Sequence, residues 1–458
     1  MMNSATLPDQ LGSATDSAVT RLRSRLRDVL AVELPRRVDE HRGDGPPLTP
    51  SMRRELASGI IDAAITSHNE EELRANRSLL SPNTEAHTVI EVLNEVFGLA
   101  GLQPLLDDPT IETININGHD RVFVQYDNGR RAQLAPVATS DAELVDLVRT
   151  LAARASTEER RFDRGSPAVN VQLPAGERLF AVMALTAAGR PALSIRRHRF
   201  RAATLADLVE TGTVDIGLRV FLTALVRARR NILITGGTGV GKTTLLRALA
   251  SEFEPAERIV TIEDVHELHL GHDPIAHPDV VALQAREANI EGEGEVTQSE
   301  LVRWALRMTP DRVIVGEIRG PEVVPMCNAM SQGNDGSMAT LHASSSQIAF
   351  NRLASYAAQG PERLPHEATN LMIVSAVHFV VHIVRATDGV TRVVSSVREV
   401  VGAEGIQVIS NEVYRPGPDR RATPVPGALR RDTAELLSDV GFDPLMLENS
   451  NWRRGESR

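Results

Sequence analysis

The stretch NILITGGTGVGKTTLLRAL, residues 231–249, decides the fold. It begins with a short apolar run, Ile232 to Ile234, and ends in a segment that carries leucine and alanine on one helical face. Between them, Gly236 to Thr243 follow the pattern G-x-x-x-x-G-K-T, whose glycines allow backbone amides to converge on an anion at the start of a helix. An apolar strand, a glycine-rich loop and a helix in this order predict a phosphate-binding loop in an α/β domain.

Lys242 is the only lysine in the chain, although lysine and arginine together number 50. A compact ammonium group can reach the β- and γ-phosphates of a nucleotide from inside the loop, whereas a rigid planar guanidinium fits there poorly. The next residue, Thr243, carries the hydroxyl that this type of loop offers to Mg²⁺. ATP and Mg²⁺ are therefore the expected cofactors, and the expected nucleotide-binding residues are Gly236, Gly237, Thr238, Gly239, Val240, Gly241, Lys242, Thr243 and Thr244.

The bulk composition of the 458-residue chain narrows the functional classes. A formal net charge of −10 and an aromatic content of 3% argue against nucleic acid as a partner, because nucleic-acid binding uses clustered positive charge and stacking rings. A single cysteine, Cys327, fits a reducing compartment. The N-terminus lacks a secretory pattern, and the longest apolar stretch, residues 371–384, is shorter than a membrane-spanning helix. We expect a cytoplasmic protein, and any association with a membrane is expected to be peripheral.

Shifts in composition along the chain predict five segments. Residues 1–90 form a helical N-terminal extension, and residues 91–200, where Asn-Gly turns separate alternating runs, form a small mixed α+β domain. Residues 201–215 form a linker. From 216 to 415, apolar strands alternate with helices, which is typical of a parallel-dominated α/β sheet. Residues 416–458 are rich in proline, glycine and arginine and are expected to form a flexible tail.

The segment RLRSRLRDVLAVEL, residues 21–34, places leucine and valine on one helical face and arginine on the remainder. A basic amphipathic helix of this kind fits an acidic lipid surface or a partner protein. A solvated face on an appended helix is the simpler interpretation and the favoured one.

Two acidic segments each follow an apolar strand. The segment RIVTIEDVHEL, residues 258–268, contains Glu263, Asp264 and Glu267. The segment DRVIVGEIRGPE, residues 311–322, contains Glu317. Because ligands of an open α/β sheet lie beyond the carboxyl ends of its strands, both segments are expected to bring carboxylates to the phosphate loop. Glu317 stands where the second strand of such sites usually has aspartate, and its extra carbon favours a water-mediated link to Mg²⁺. For Asp264, a structural cap and a catalytic role are equally open.

Several other polar residues leave alternatives open. Arg303 and Arg307 share one face of a predicted helix, and they either sense the phosphates of a neighbouring subunit or form surface charge. His342 ends a short strand-like run in GNDGSMATLHAS, and it either senses the γ-phosphate or is an ordinary hydrogen-bonded polar residue. His378 and His382 receive no role.

Four motifs, taken in order, resemble those of the secretion ATPases of the type II/type IV superfamily, which power pili and protein export. They are GGTGVGKTT, TIEDVHEL, RVIVGEIRG and GSMATLHA. Three segments look most like the tight-adherence (Flp) pilus branch: REANIEGEGEVT, LRMTPDRVIVGEIRG and NVQLPAGERLFAV…PALSIRRH. The resemblance spans residues 90–415. It implies an N-terminal domain packed on a P-loop RecA-like domain with nucleotide between them, a homo-hexamer, and an integral inner-membrane platform protein as partner.

The resemblance also implies roles for individual residues. Glu267 corresponds to the water-activating base, and Glu317 corresponds to the Walker B acid that accompanies the metal with Thr243. Arg178 and Arg196 match arginines of the N-terminal domain that reach toward the phosphates, where a guanidinium would neutralise charge developing on the leaving phosphate. The implied catalytic residues are Glu267, Glu317, Lys242 and His342.

One residue departs from the pattern of the tight-adherence branch, because Asn334 stands where that branch usually has histidine. This puts the fine control of turnover in doubt more than hydrolysis itself. The predicted function is Mg²⁺-dependent hydrolysis of ATP to ADP and phosphate by a ring-forming motor for pilus assembly or protein secretion. The alternatives are a DNA-transfer or other nucleic-acid motor ATPase and a nucleotide-binding scaffold that does not hydrolyse.

Overall fold

The computed structural model of the chain describes residues 9–42, 50–97, 99–155, 162–173, 176–183, 185–186, 188–197, 203–286, 288, 293–417 and 419–448. The chain divides into two units, residues 1–197 and residues 198–458. Separate hydrophobic clusters stabilise the two units.

Three helices open the first unit: α1 (Asp9–Arg42), α2 (Pro50–Arg74) and α3 (Pro82–Phe97). Buried side chains of α1, Leu22 and Leu26, pack in one cluster with Ile61 of α2 and Val92 of α3. The apolar face predicted for residues 21–34 is therefore the face that holds this bundle together.

The arginines of α1 pair with acids on the neighbouring helices. Arg21 lies 2.9 Å from Glu72 of α2, and Arg23 lies 3.2 Å from Glu91 of α3. Part of the basic face of α1 therefore pairs with acids of α2 and α3, while Arg25 and Arg27 remain exposed, as the solvated interpretation expects. Partly exposed pairs of this kind add little stability, so their main effect is on how the helices are aligned.

The remainder of the first unit is an antiparallel sheet with helices on one face. Its elements are α4 (Gln103–Asp107), β1 (Ile111–Asn117), β2 (Val122–Tyr126), β3 (Arg131–Leu134), α5 (Asp141–Ala155), β4 (Ala168–Gln172), β5 (Arg178–Val182) and β6 (Ala192–Arg196). The strand order is β3-β2-β1-β6-β5-β4. Alternate residues such as Ile114 and Ile195 pack against Leu144 of α5, and the residues between them lie on the opposite face. Positive φ angles at Gly118 (78°) and Gly129 (82°) mark the predicted Asn-Gly turns.

The second unit is built on a nine-stranded sheet. Its strands are β7 (Ile232–Gly236), β8 (Ile259–Glu263), β9 (Val280–Gln284), β10 (Arg312–Ile318), β11 (Met338–His342), β12 (Phe379–Arg385), β13 (Arg392–Glu404), β14 (Gln407–Pro416) and β15 (Ala422–Pro424). The strand order is β15-β14-β13-β12-β7-β11-β10-β8-β9, in which the run from β12 to β9 is parallel and the remaining neighbours are antiparallel. The predicted α/β class with a parallel-dominated sheet is confirmed.

Helices cover both faces of this sheet. They are α6 (Leu205–Glu210), α7 (Ile216–Arg227), α8 (Lys242–Ala250), α9 (Gln298–Ala305), α10 (Val323–Ser331), α11 (Ile348–Gln359), α12 (His366–Ala376) and α13 (Arg431–Asp439). Residues of α6, α7, α8 and α13 share one core cluster, and residues of α9 to α12 share the other. Strand β7 is buried along its whole length between β11 and β12. The loop that follows β7 therefore emerges at the carboxyl edge of the sheet, where β8, β10 and β11 also end.

The predicted linker, residues 201–215, contains part of the ATPase core. Helix α6 begins there with a capping box in which the Thr204 and Asp207 side chains and backbones bond reciprocally, and Leu205 and Leu208 are buried. Helix α6 has only six residues, of which two are buried leucines. So short a pattern does not stand out in the sequence, and residues 201–215 were therefore predicted to be a linker.

The expected flexible tail is wrong for residues 419–448. Strand β15 extends the sheet, and the end of α13 buries Leu437 and Phe442 in the core, where the Phe442 ring lies 5.3 Å from the ring of Phe221. The segment contains proline, glycine and arginine, but several of its apolar residues, among them Leu437, Phe442 and Leu447, are buried. Within the described part of the chain, no helix is both long and apolar enough to cross a membrane.

Candidate functional site

The loop between β7 and α8 has a backbone that only glycine accommodates at several points. Gly239 and Gly241 adopt φ angles of 71° and 97°, in the left-handed region. A Cβ atom on Gly236 would lie 2.4 Å from the carbonyl oxygen of Ile383. Helix α8 starts at Lys242, so the unpaired amides of its first turn follow directly on the loop. The predicted strand, loop and helix thus form an anion-binding cradle.

Lys242 is the centre of a compact charged cluster. Its Nζ lies 3.2 Å from the carbonyl oxygen of Gly237, 3.2 Å from each ring nitrogen of His342 and 3.6 Å from Oε1 of Glu317. Only 7% of the lysine is exposed, so the interaction takes place largely away from solvent. Three of the four residues with a predicted catalytic role therefore meet beside the phosphate loop.

Glu317, on β10, is surrounded by cationic groups. Its Oε1 lies 2.7 Å from Nε2 of His342, and its Oε2 accepts hydrogen bonds from Arg319. Burial on its own would raise the pKa of Glu317, but the hydrogen bond with His342 and the charges of Arg319, His342 and Lys242 outweigh it and lower the pKa to about 2. Glu317 is thus an ionised acceptor at neutral pH.

Glu267 approaches the loop from the segment after β8. The hydroxyl of Thr243 donates to Oε2 of Glu267 across 3.4 Å. The fourth predicted catalytic residue therefore lies beside the residue expected to bind Mg²⁺, and the two strands β8 and β10 deliver their carboxylates to one edge, as their topology requires.

Asp264 has contacts that favour its structural interpretation. Its Oδ2 accepts from Nη1 of Arg319 at 2.6 Å, and its Oδ1 accepts from Nε2 of Gln298 at 2.6 Å. Arg319 therefore bridges Asp264 and Glu317, a connection between two loops that the sequence reading did not anticipate.

The oxygen donors at the loop fit a hard cation such as Mg²⁺. Within the described residues, no group of three His, Cys, Asp or Glu side chains is placed to hold a metal ion. Mg²⁺ needs no such group, because it usually keeps several waters and takes one or two protein oxygens plus substrate phosphates. Thr243 and Glu317, the two residues expected at the metal, offer a hydroxyl oxygen and an ionised carboxylate.

His382, which the sequence reading left without a role, links two strands at the site. Its Nδ1 lies 2.9 Å from the hydroxyl of Thr235, the residue before Gly236, and it also bonds the backbone of Ser344, just beyond His342. Burial lowers the pKa of His382 to about 4, and the bond to Ser344 offsets only part of this effect. The feature that identifies His382 is its pairing with Thr235 across the two strands. This pairing becomes apparent only when β12 is aligned with β7.

Arg303 and Asn334, whose roles the sequence leaves undecided, both make contacts of a structural kind. Arg303 lies 3.3 Å from Glu362, which favours its interpretation as surface charge. Asn334 donates from Nδ2 to the carbonyl oxygen of Pro310 at 2.6 Å. It precedes the amino end of β11, whereas His342 ends that strand, so Asn334 lies away from the phosphate loop.

Arg178 and Arg196 belong to the first unit, on β5 and β6. They are paired directly across the two antiparallel strands, so both side chains project from the same face of the sheet. This is the face opposite α5, since their neighbours Leu179 and Ile195 are buried in the core of the unit.

A glycine-rich loop at the carboxyl edge of a parallel sheet, with one lysine, two glutamates and a histidine around it, defines a P-loop nucleotide-binding enzyme with a RecA-like fold. Residues 98–417 match the family described as type II/IV secretion system protein. The chain belongs to this family, and it is an ATPase.

Individual relatives agree with this assignment. A Mycobacterium tuberculosis (strain H37Rv) protein whose name refers to conjugal transfer is 37% identical over 315 residues, covering 67% of this chain and 86% of the relative. The type IV secretion system protein VirB11 of Brucella suis biovar 1 is 31% identical over 328 residues, covering 66% of this chain and 89% of the relative.

Solved structures were matched over similar lengths. The crystal structure of the VirB11 ATPase from the Brucella suis type IV secretion system, in complex with sulphate, covers 68% of this chain and 95% of its own at 30% identity, with a TM-score of 0.35. The pilus retraction motor PilT with bound ADP covers 74% of this chain and 87% of its own at 15% identity, with a TM-score of 0.44.

Proposed function

We propose that the protein hydrolyses ATP to ADP and phosphate in a Mg²⁺-dependent reaction and that this reaction drives a ring-shaped secretion or pilus motor. The observation that carries the proposal is the convergence of Lys242, Glu317 and His342 within 3.6 Å of one another at the phosphate loop, with Glu267 beside Thr243. Hydrolysis by a P-loop enzyme needs these parts: a phosphate cradle, a cation and a group that orients water.

Lys242 changes partners in the proposed cycle. Its ammonium group is held by Glu317, His342 and a loop carbonyl, and these contacts keep it at the mouth of the cradle. Nucleotide phosphates carry more negative charge than Glu317, so they compete for the same ammonium group. Glu317 and His342 then retain each other and face the γ-phosphate.

Glu267 is proposed to accept a proton from the attacking water. Its carboxylate accepts a hydrogen bond from the Thr243 hydroxyl. In the proposed complex, the terminal phosphate of the nucleotide lies close to this carboxylate. Thr243 and Glu317 are the residues that would hold Mg²⁺, and the bound ion would neutralise charge on the phosphate oxygens.

Arg178 and Arg196 are proposed to bind nucleotide phosphates, as the family resemblance implies. Support comes from their cross-strand pairing, which sets two like charges side by side on one face of the sheet. Such an arrangement is unfavourable by itself and favours a polyanionic ligand between them. Nucleotide phosphates are the polyanion that the family resemblance implies.

The proposed assembly is a homo-hexamer at the cytoplasmic face of the inner membrane, working on an integral platform protein of a pilus or secretion system. The support is membership of the type II/IV secretion family, together with the segments that resemble the tight-adherence pilus branch. A DNA-transfer motor is the second candidate, because the Mycobacterium tuberculosis relative carries a conjugal-transfer name. Stimulation of ATPase activity by DNA would favour this second candidate.

Steady-state phosphate release tests the proposal. The wild-type protein, alone and in membranes that contain its platform protein, is expected to release phosphate with Mg²⁺ and to stop in EDTA. Binding of ATP without any phosphate release under both conditions would instead identify a nucleotide-dependent scaffold.

A further inference from the structure

Glu263, the last residue of β8, has a side chain that turns back onto its own loop. Its Oε1 accepts hydrogen bonds from the backbone amides of Glu267 and Leu268, both at 2.9 Å. Only 3% of Glu263 is exposed. Two backbone donors on one buried carboxylate oxygen form a charge-assisted anchor for residues 264–268.

The neighbouring strand leaves room for this side chain. Strand β10 pairs with β8 in parallel, and the residue beside the end of β8 is Gly316. A Cβ atom on Gly316 would lie 3.0 Å from Cγ of Glu263, a tight contact that the Glu263 side chain could relieve only by shifting a few tenths of an ångström. Gly316 does not have a positive φ, so its backbone does not require glycine. The Glu263 side chain is therefore the nearest neighbour that a side chain at position 316 would meet.

Glu263 also interacts electrostatically with Arg247 of α8. Burial lowers the pKa of Arg247, on α8, and the charge of Glu263 partly opposes this effect. Helix α8 also carries the phosphate-binding Lys242 at its first position. Glu263 thus lies between the helix that follows the phosphate loop and the segment that carries Glu267.

We propose that Glu263 is a positioning residue that holds Glu267 in place for water activation and that Gly316 is required because it makes space for Glu263. The proposal rests on the hydrolytic function proposed above. Its physical basis is that the Glu267 amide is one of the two anchored groups, so loss of the anchor frees the backbone of the residue whose carboxylate must reach the site. A displacement of about 1 Å at a catalytic group can lower a rate by about 100-fold.

Two substitutions distinguish the effect of side-chain length from the effect of charge at Glu263. Glu263→Gln keeps the chain length and an acceptor oxygen but removes the charge. Glu263→Asp keeps the charge but shortens the side chain by one methylene group. We expect kcat to fall about 100-fold in Glu263→Ala, about 10-fold or more in Glu263→Asp and least in Glu263→Gln. The affinity for a fluorescent ADP analogue is expected to stay within about twofold, because Lys242 and the loop are unchanged.

Glu399→Ala is the matched control. Glu399 is also buried, at 3% exposure, and its Oε2 accepts the backbone amide of Arg430 at 2.9 Å. It pairs with Phe379 at the start of β12, the end of the sheet opposite the phosphate loop. The control variant is expected to lower the melting temperature and to leave kcat unchanged.

A double-mutant cycle tests the role of Gly316. Gly316→Ala is expected to lower kcat about 10-fold in the wild-type background, but less than about twofold when Glu263→Ala is already present, because the methyl group then has space. Equal effects of Gly316→Ala in both backgrounds would overturn the link between the two residues. Wild-type kcat in Glu263→Ala would overturn the positioning role.

Amide hydrogen exchange keeps this test independent of hydrolysis. In the full-length protein, Glu263→Ala is expected to speed exchange of the amides of Glu267 and Leu268, while Glu399→Ala leaves them unchanged. If exchange is faster in Glu263→Ala but the wild-type protein releases no phosphate, the hydrolytic function is refuted and the anchor is upheld. Unchanged exchange in an active protein would refute the anchor alone.

Discussion

The Nε2 atom of His342 lies 2.7 Å from Oε1 of Glu317, and the same histidine ring lies 3.2 Å from the ammonium group of Lys242. The end of β11, the end of β10 and the start of α8 are thereby joined by one charged cluster. Each member of the cluster already has a partner before nucleotide is considered. A triphosphate entering the cradle must therefore displace a contact that the protein makes with itself, and the first prediction follows from this competition.

Lys242 cannot be replaced by arginine. Lys242→Ala and Lys242→Arg are both expected to weaken binding of an ATP analogue by about 100-fold or more, equivalent to about 2.7 kcal/mol. Alanine removes the ammonium group, and the planar guanidinium does not fit between the loop carbonyl and His342. Titration with a fluorescent ATP analogue measures the affinities of both variants. Arg303→Ala, a paired surface arginine, is the control, and arginine at 242 binding as tightly as lysine would contradict this role.

The two glutamates are expected to affect turnover and not binding. Glu267→Gln and Glu317→Gln should each lower kcat by about 10²-fold to 10⁴-fold, because each removes a charged group that acts on water or on the metal site. Affinity for ATP should change little in Glu267→Gln, since the phosphate cradle is intact. Phosphate release and nucleotide titration on the same preparations separate the two effects. Normal turnover in both variants would show that the assigned roles are wrong.

Arg178 and Arg196 are expected to act on catalysis from the first unit. Alanine at either position should lower kcat by about 10-fold to 10²-fold through loss of charge stabilisation at the phosphates, without unfolding the sheet. Arg149→Ala, on helix α5 of the same unit, is the control. If both variants have the same kcat as Arg149→Ala, Arg178 and Arg196 do not take part in catalysis.

Acid is expected to destabilise the second unit through two buried histidines. Burial lowers the pKa of His382 to about 4, and burial with the charge of Arg230 lowers the pKa of His378 to about 4 against the opposing charge of Asp335. Between about 6.5 and about 4 the unfolded chain binds more protons than the folded chain. Stability therefore falls as pH drops through this window, by at most about 1.4 kcal/mol per pH unit for each histidine.

Urea unfolding between pH 7 and pH 5 measures this slope. His382→Gln should flatten it, because one titrating group is lost while a hydrogen-bonding side chain remains. A slope in His382→Gln identical to that of the wild type would mean that His382 is not the group that titrates.

The C-terminal segment is expected to contribute to folding of the ATPase core. Phe442→Ala should cost about 3–5 kcal/mol, because it empties a buried position beside Phe221. Thermal unfolding checks the loss, with Leu445→Ala, at an exposed position, as the control. Equal melting temperatures for the two variants would restore the view of a mobile tail.

The fold of the second unit could be predicted from sequence where residue chemistry and chain order agree. The cradle was predictable because its strand, glycines, lysine and helix are contiguous between residues 231 and 249. The approach of Glu267 and Glu317 was predictable because parallel strands end at one edge. Neither inference required knowledge of which strands are neighbours.

Contacts that depend on strand register were out of reach. His382 bonds Thr235 only because β12 aligns with β7, and Gly316 makes space for Glu263 only because β10 lies beside β8. The tail was misjudged for a different reason, since composition reports average polarity and not the burial of individual residues such as Leu437. Sequence spacing alone identifies a loop and its acids, but not the side chains that hold them in place.

The most direct test is a structure of the full-length protein with Mg²⁺ and a non-hydrolysable ATP analogue. The triphosphate is predicted to lie in the loop from Gly236 to Thr244, with the Lys242 ammonium group moved from Glu317 to the phosphates. An empty loop, or nucleotide bound elsewhere while Lys242 still contacts Glu317, would contradict this account.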